Sequence, residues 1–432
     1  MTAIDRRLLP DSAGVDEEGR LSIGGCDVLE LASVHGTPLF VYDEKHIRRR
    51  CRQAVGAFGD TAVYAAKAFL CRAMARLAHE EGMRIDVSTL GELAVAVAAG
   101  VPGDRLVMHG NNKSETEIRA ALEAGVGVLV VDSFDEMARL GVLLDAGDLP
   151  RPRVMLRVTP GVEAHTHEFT RTGHDDSKFG FTVSTGAAAE AVEMASRSPF
   201  FDLVGIHAHI GSQVFRAASF AEAVEVVAGF TAPLELPELS VGGGLGVPYV
   251  EGEEAPSIAE WASVIHEGAD RAGFRGRIWA EPGRAIVASA AITLYRVGTI
   301  KELPGIRTYV AVDGGMSDNP RPVLYGSGYE AFLPRATSAD RPHPVRVVGK
   351  HCESGDILVR HAAVPADLAV GDILATPVTG AYGHSMGSNY NMVRRPAVVF
   401  VMDGDARLVV RRETNNDLLA RDLVAGPKWA SR

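Results

Sequence analysis

The sequence has 432 residues, 46% of them apolar and 23% charged, with 46 Gly and 22 Pro. That is ordinary globular composition, and it excludes a disordered, collagen-like or coiled-coil chain. The formal charge of -11 comes with no Lys/Arg cluster that could form a basic face, which excludes nucleic acid as a partner. The apolar runs, such as Val128–Val131, are far too short to span a bilayer, so no membrane partner is expected either.

Met1–Val15 has no apolar core of a secretory signal, and Gly426–Arg432 carries no lipidation or retention motif. The four cysteines, Cys26, Cys51, Cys71 and Cys352, lack metal-like or disulfide-framework spacing. A reduced, cytoplasmic protein is the expectation.

The first strand-like run is Leu21–Ile23. Eight short apolar, β-branched runs then alternate with helical segments. They are Thr61–Lys67, Arg84–Ser88, Arg105–Gly110, Gly127–Ser133, Val154–Thr159, Leu203–Gly211, Leu239–Gly244 and Ile278–Arg284. Helix starts fall between them at Thr89 with Glu92, Ser114 with Glu117, and Ser133 with Glu136. Gly100 and Gly125 stand where helices should end. Eight strands separated by helices predict a (β/α)8 barrel. The longest gap holds the polar stretch Glu163–Phe181, read as an inserted functional loop. From about residue 290 the rhythm changes. Ile292–Val297, Thr308–Val312, Arg346–Val348, Ile373–Thr376 and Val398–Val401 alternate with Gly/Pro turns, which predicts an antiparallel β domain. The expected division is residues 1–40, joining the β domain; 41–288, the barrel; and 289–432, the β domain.

Chemistry in such barrels sits at the C-terminal ends of the strands. Strand one ends at Lys67, where an apolar, dry mouth would lower the amine's pKa and suit it to a Schiff base. Strand two ends at Asp86, strand five at Arg157, and strand six at His207 and His209. Strand seven ends in Gly242-Gly243-Gly244, whose N–H groups can approach an anion closely. Strand eight ends in Glu281-Pro282-Gly283-Arg284, and Arg284 adds positive charge. A Schiff-base lysine, an imidazole, a carboxylate and an anion cradle in one mouth is the set that pyridoxal phosphate needs. A carboxylate at Glu281 keeps the pyridine nitrogen protonated and favours decarboxylation, whereas an Arg there would favour racemisation. His165 and His167 have no companion ligands at metal spacing, so no metal is expected.

Longer motifs run in order from about Thr37 to Asp422. They include Tyr64-Ala-Ala-Lys-Ala-Phe, His109-Gly-Asn-Asn-Lys-Ser, His207-Ala-His-Ile-Gly-Ser-Gln, Asp313-Gly-Gly-Met-Ser-Asp-Asn, Cys352-Glu-Ser-Gly-Asp and Thr379-Gly-Ala-Tyr-Gly-His-Ser-Met. By these the chain resembles the diaminopimelate decarboxylases, of the alanine-racemase-like fold type of pyridoxal-phosphate enzymes. The resemblance implies decarboxylation of meso-diaminopimelate at its D-centre to L-lysine. It implies that Lys67 forms the Schiff base, His209 stacks on the pyridine ring and Glu281 pairs with its nitrogen. Ser212, Gly243, Gly244, the Glu281–Arg284 turn with Gly283, and Tyr382 would hold the phosphate; Asp86 and Arg157 complete the cofactor set. Arg284, Arg321, Tyr325 and Tyr382 would bind the amino-acid substrate. Glu353 would take its distal amino group, and Cys352 would donate the proton that replaces CO2. A homodimer with shared active sites is implied, with Lys178 and Asp356 paired across the interface. Tyr64 would pack beside Lys67 without chemistry of its own.

The sequence departs from the family pattern at Leu90, where Gly is usual, at Pro320 and at Gly387, and at His384, where Tyr or Phe is usual. These departures leave open a related decarboxylase acting on ornithine, arginine or a carrier-bound amino acid. Glu281 argues against a racemase, and the presence of both Lys67 and Cys352 argues against an inactive homologue.

Overall fold

The computed structural model describes residues 3–161 and 176–423. These fall into two compact units. One comprises Glu44–Ala290 and Gly380–Ser385; the other comprises Met1–Asp43, Ala291–Thr379 and Met386–Arg432. The sequence division assigns all of residues 289–432 to the β domain, whereas Gly380–Ser385 groups with the barrel unit.

Among the described residues the barrel is built from eight strands in chain order: β1 Val63–Ala65, β2 Arg84–Val87, β3 Leu106–Met108, β4 Val128–Val131, β5 Arg153–Thr159, β6 Asp202–Ala208, β7 Glu238–Ser240 and β8 Arg277–Trp279. Every neighbouring pair is parallel. An Ala62–Ala280 bridge, with the Val63 N–H donating to the Ala280 carbonyl at 2.9 Å, brings β8 back to β1. The eight runs expected from the sequence are these eight strands. Val63, Val107, Val128, Val130, Met155 and Trp279 form a buried cluster. Parallel strands covered on both faces need such near-continuous apolar runs.

The helices between them start as their caps predict. Thr89, Ser114 and Ser133 each accept the N–H of the Glu three residues on. Only Ser114 completes a reciprocal box. The Glu92 and Glu136 carboxylates reach one residue further back, to the N–H groups of Ser88 at 2.6 Å and Asp132 at 2.9 Å. Gly100 and Gly125 close their helices at φ +85° and +69°. Ala217–Leu234 is long and apolar enough, at mean hydropathy 1.2, to match a membrane span by composition. Its Phe220, Val224 and Val227 are buried as it packs against helix Ile258–Arg271, so the apolar character serves the barrel wall.

The second unit is a mixed sheet. Ala291–Leu303 pairs antiparallel with Arg307–Val312, with Ile373–Pro377 and with Leu39–Asp43. Two pairs are parallel, contrary to the antiparallel expectation: Arg307–Val312 with His343–Val348, and Leu39–Asp43 with Ala397–Met402. Each is joined by a long connection, which a parallel pair requires. Leu21–Ile23 lies in a small antiparallel sheet with Gly14–Val15 and Cys26–Asp27.

Two buried charges make the fold testable. Lys113 is 1% exposed and its Nζ lies 2.8 Å from the Glu136 carboxylate, donating also to the carbonyls of Gly110 and Val130. Lys113→Met strands Glu136 and should cost about 3–5 kcal/mol in urea unfolding, with Lys113→Met/Glu136→Gln recovering part of the loss. In the β unit Asp318 is 1% exposed, accepting the Tyr295 hydroxyl at 2.7 Å and the Gly315 N–H at 2.9 Å. Burial pushes its pKa up from 3.8 to about 7. Between those values the folded state binds more protons than the unfolded state, so this group lowers stability as pH rises through that window. Asp318→Asn should flatten the fall in melting temperature between about pH 4 and pH 7.

Candidate active site

The C-terminal ends of the barrel strands converge on one cavity. It is lined by Lys67, Asp86, His209, Ser212, Gly243, Gly244, Glu281, Gly283, Arg284 and Tyr382. The structure thus brings together every expected cofactor residue except Arg157. Arg157 is buried on β5, with its guanidinium 4.2 Å over the Phe179 ring and 3.7 Å from the Asp132 carboxylate.

Lys67 stands on the tight turn Ala66–Ala68 that follows β1. Asp86, at the end of β2, pins this turn by accepting the Ala66 N–H at 2.9 Å. Burial raises the Asp86 carboxyl to about 6. The expectation of a dry, apolar mouth around Lys67 is not met. Lys67 is exposed, and its cavity carries carboxylates, an imidazole and a guanidinium. Tyr64 is fully buried beside it, and its hydroxyl donates to the Phe69 carbonyl at 2.7 Å.

Across the mouth, the three glycines after β7 are demanded by crowding. A Cβ on Gly242 would lie 2.6 Å from the His209 ring, and one on Gly244 would lie 2.5 Å from the Gly211 carbonyl oxygen, both at positive φ. The Gly243 N–H donates to His209 Nδ1 at 3.1 Å, so it is engaged by the imidazole. This fixes the proton of a neutral His209 on Nε2. Burial, with the Lys67 and Arg157 cations, holds the pKa of His209 well below the ordinary imidazole value.

Arg284 is 9% exposed. It donates to the Tyr249 hydroxyl at 2.7 Å and to Ser212 Oγ at 3.0 Å, with its guanidinium 4.7 Å from the Tyr382 ring. Its Nε is buried without a partner among the described residues. Tyr382 itself sits at φ +58°, a conformation that a non-glycine residue seldom adopts. Its N–H donates to the Ala68 carbonyl at 2.8 Å, and the Ser385 hydroxyl donates there too.

Glu281 is 7% exposed. One carboxylate oxygen accepts the Ser240 hydroxyl at 2.8 Å and lies 3.6 Å from His109 Nε2; the other lies 3.2 Å from His207 Nε2. Burial opposes its charge, but the two imidazoles outweigh it and hold the group well below the usual carboxylate range. His109, Ser240 and Tyr249 received no role from the sequence, and His207 was only noted at a strand end. His207 was inferable, since it precedes His209 by two residues on one strand and so shares its face. Potential metal-ligand atoms of His109, His207 and Glu281 also lie within 4.8 Å of one another, a grouping that linear spacing does not disclose. His165 and His167 lie outside the described residues.

The remaining candidates belong to the β unit. Arg321 is 4% exposed and donates to the Tyr329 hydroxyl at 2.6 Å, on the short helix Arg321–Tyr325 that also carries the half-buried Tyr325. Cys352 and Glu353 are exposed on the turn before strand Ile357–Val364, and the Cys352 N–H donates to Asn391 Oδ1 at 3.0 Å. Asp356 is 3% exposed, and its oxygens accept the N–H groups of Met316 at 2.7 Å and His351 at 2.9 Å. Its carboxylate thus ties the Met316 and His351 backbone together within its own unit.

Comparison with known proteins follows the geometry. Residues 44–288 match the family model "Pyridoxal-dependent decarboxylase, pyridoxal binding domain". The chain is 46% identical over 435 residues to the diaminopimelate decarboxylase of Mycobacterium tuberculosis, covering 96% of this chain and 97% of that protein. It is also 46% identical to that of Bacillus subtilis, covering 94% and 96%. Among solved structures it is similar to the diaminopimelate decarboxylase of M. jannaschii, with a TM-score of 0.89, 32% identity and coverage of 96% and 98%. A Helicobacter pylori diaminopimelate decarboxylase complexed with L-lysine gives a TM-score of 0.83 at 32% identity, covering 91% and 98%. The barrel and its mouth are those of a pyridoxal-phosphate-dependent decarboxylase. Within that class, the chain belongs to the diaminopimelate decarboxylase family.

The mouth fits pyridoxal phosphate on its own chemistry. It offers an accessible amine at Lys67, an ionised buried carboxylate at Glu281, a glycine cradle that side chains would fill, and an unpartnered guanidinium nitrogen at Arg284. Gly244→Ala forces a Cβ to 2.5 Å from the Gly211 carbonyl oxygen. It should weaken pyridoxal phosphate binding at least tenfold, about 1.4 kcal/mol, as read by absorbance titration of the cofactor-free protein.

Proposed function

We propose that this chain removes CO2 from the D-configured centre of meso-diaminopimelate and releases L-lysine. The observation that carries the reading is the charged Glu281 carboxylate in the same cavity as Lys67, with the Arg284 Nε left without a partner among the described residues. Relatives named for this activity, at 46% identity over nearly the whole chain, support it, as does the L-lysine bound to the Helicobacter pylori relative. An ornithine- or arginine-directed enzyme is not favoured: the lysine/ornithine decarboxylase of Vibrio vulnificus is only 22% identical and shares the fold.

Bound in the mouth, pyridoxal phosphate supplies an electron sink for the bond that breaks between the α-carbon and the carboxylate. Lys67 would supply the amine that holds the cofactor's aldehyde carbon. Glu281 would pair with its ring nitrogen, and His209 would stack on the ring. Ser212, Gly243, Gly244, Gly283 and Tyr382 would hold the phosphate, with Asp86 fixing the Lys67 turn and Arg157 contributing positive charge to the site. Arg284, Arg321, Tyr325 and Tyr382 orient the substrate's carboxylates, and Glu353 receives its distal ammonium. The departing CO2 leaves an electron pair on the α-carbon, and the Cys352 thiol donates its proton there. Cys352 is exposed on its turn, which suits a thiol that regains a proton from solvent.

The same reading makes the enzyme a cytoplasmic homodimer in which Cys352 and Glu353 of one subunit act at the cofactor of the other. The four cysteines are free thiols, in keeping with a reducing compartment. Two variants test this. Lys67→Ala should abolish turnover, and Cys352→Ala should lower it by at least about a hundredfold, as general-acid losses do, with cofactor still bound. Mixed after subunit exchange, the two should recover up to about a quarter of wild-type activity, because some dimers then carry one intact site. Turnover by Lys67→Ala would overturn the reading, and absence of recovery would overturn the shared site.

A further inference from the structure

Charge in an apolar surrounding is costly unless hydrogen bonds satisfy it. Side chains from β6 and β7 supply those bonds to Glu281. Ser240 donates a hydroxyl hydrogen at 2.8 Å. His207, 1% exposed, presents Nε2 to the other oxygen at 3.2 Å, while its Nδ1 is buried without a partner among the described residues. A neutral imidazole carries one N–H, and the carboxylate selects Nε2 for it. Burial brings the pKa of His207 down to about 4, so the ring is neutral around pH 7. His109 stands edge-to-face against His207, 4.9 Å between centroids, with its Nε2 3.6 Å from Glu281 and so beyond hydrogen-bond length. Asp86, Arg157, Lys67 and His209 are the other titratable groups coupled to this cluster.

We propose that His207 and Ser240 are positioning residues that, through a hydrogen bond to each of its oxygens, hold Glu281 as the anion that keeps a proton on the heteroaromatic nitrogen seated against it. This rests on the pyridoxal-phosphate reading above. Removing the Nε2 donor leaves one carboxylate oxygen unsatisfied and raises its affinity for protons. The proton that sat on the ring nitrogen then moves to that oxygen, and the net charge of the pair is unchanged.

The test uses holoenzyme loaded with cofactor labelled with 15N in the pyridine ring, titrated with pH and read by NMR. In the wild type the ring nitrogen should be protonated at neutral pH. His207→Leu should lower the pH at which that proton is lost by about one unit, a tenfold loss of proton affinity, and Ser240→Ala should act in the same direction. His207→Gln, which keeps an N–H donor, should restore the wild-type midpoint. The kcat of His207→Leu should fall about ten- to a hundredfold, the usual cost of an outer supporting partner, with KM little changed. A midpoint unmoved in both cofactor-loaded His207→Leu and Ser240→Ala would overturn the inference alone. A neutral ring nitrogen in the wild type would overturn it together with the role of Glu281 on which it rests.

Discussion

A negative charge buried in the barrel mouth sets the terms for the rest of the site. Glu281 lies just beyond β8, and the strands that supply its partners, β7 and then β6, follow next to β8 in the sheet. From β7 comes the Ser240 hydroxyl and from β6 the His207 ring, each on one oxygen. The parallel register pairs these two residues directly, His207 opposite Ser240, so a slip of either strand by one residue would turn its side chain away from the carboxylate. The valines and Trp279 of the barrel core hold that register.

Opposite Glu281 the constraint is steric. His209, the Gly242–Gly244 turn and the Gly211 carbonyl pack so closely that no side chain fits on the glycines. The same crowding lets backbone and imidazole approach a flat ring and an anion. Tyr382 closes this side in a left-handed conformation, held through Ala68, one residue from Lys67. Strain at such a position is characteristic of residues kept for a site.

The barrel was legible because its signal is repetitive. Eight apolar runs, three cap residues and two terminating glycines agree with one another, and all mark real boundaries. The cofactor residues at strand ends were legible for the same reason: a strand end is a fixed address in this fold. What the sequence hid depends on three-dimensional proximity. His109, Ser240 and Tyr249 meet Glu281 or Arg284 across distant segments, and nothing in linear spacing marks them. The exposure of Lys67 was misjudged because position along a strand says where a side chain starts and nothing about how wide the mouth is. The parallel strand pairs of the β unit were hidden by long connections whose direction has no local signature. Two departures from the family pattern now have physical places. Leu90 is 40% exposed at a helix start, and His384 is buried edge-to-face against Phe69 at 5.7 Å, as an aromatic ring would be. Neither position removes a group from the cavity, which favours an unaltered substrate.

The most direct test of the central claim is chiral mass spectrometry of the products formed from meso-diaminopimelate by the purified, cofactor-loaded protein. L-lysine and CO2 in equal amounts, without D-lysine, are the predicted result. A protein that binds the cofactor through Lys67 yet forms no lysine, or that forms the D-enantiomer, would contradict the assignment of substrate and stereochemistry.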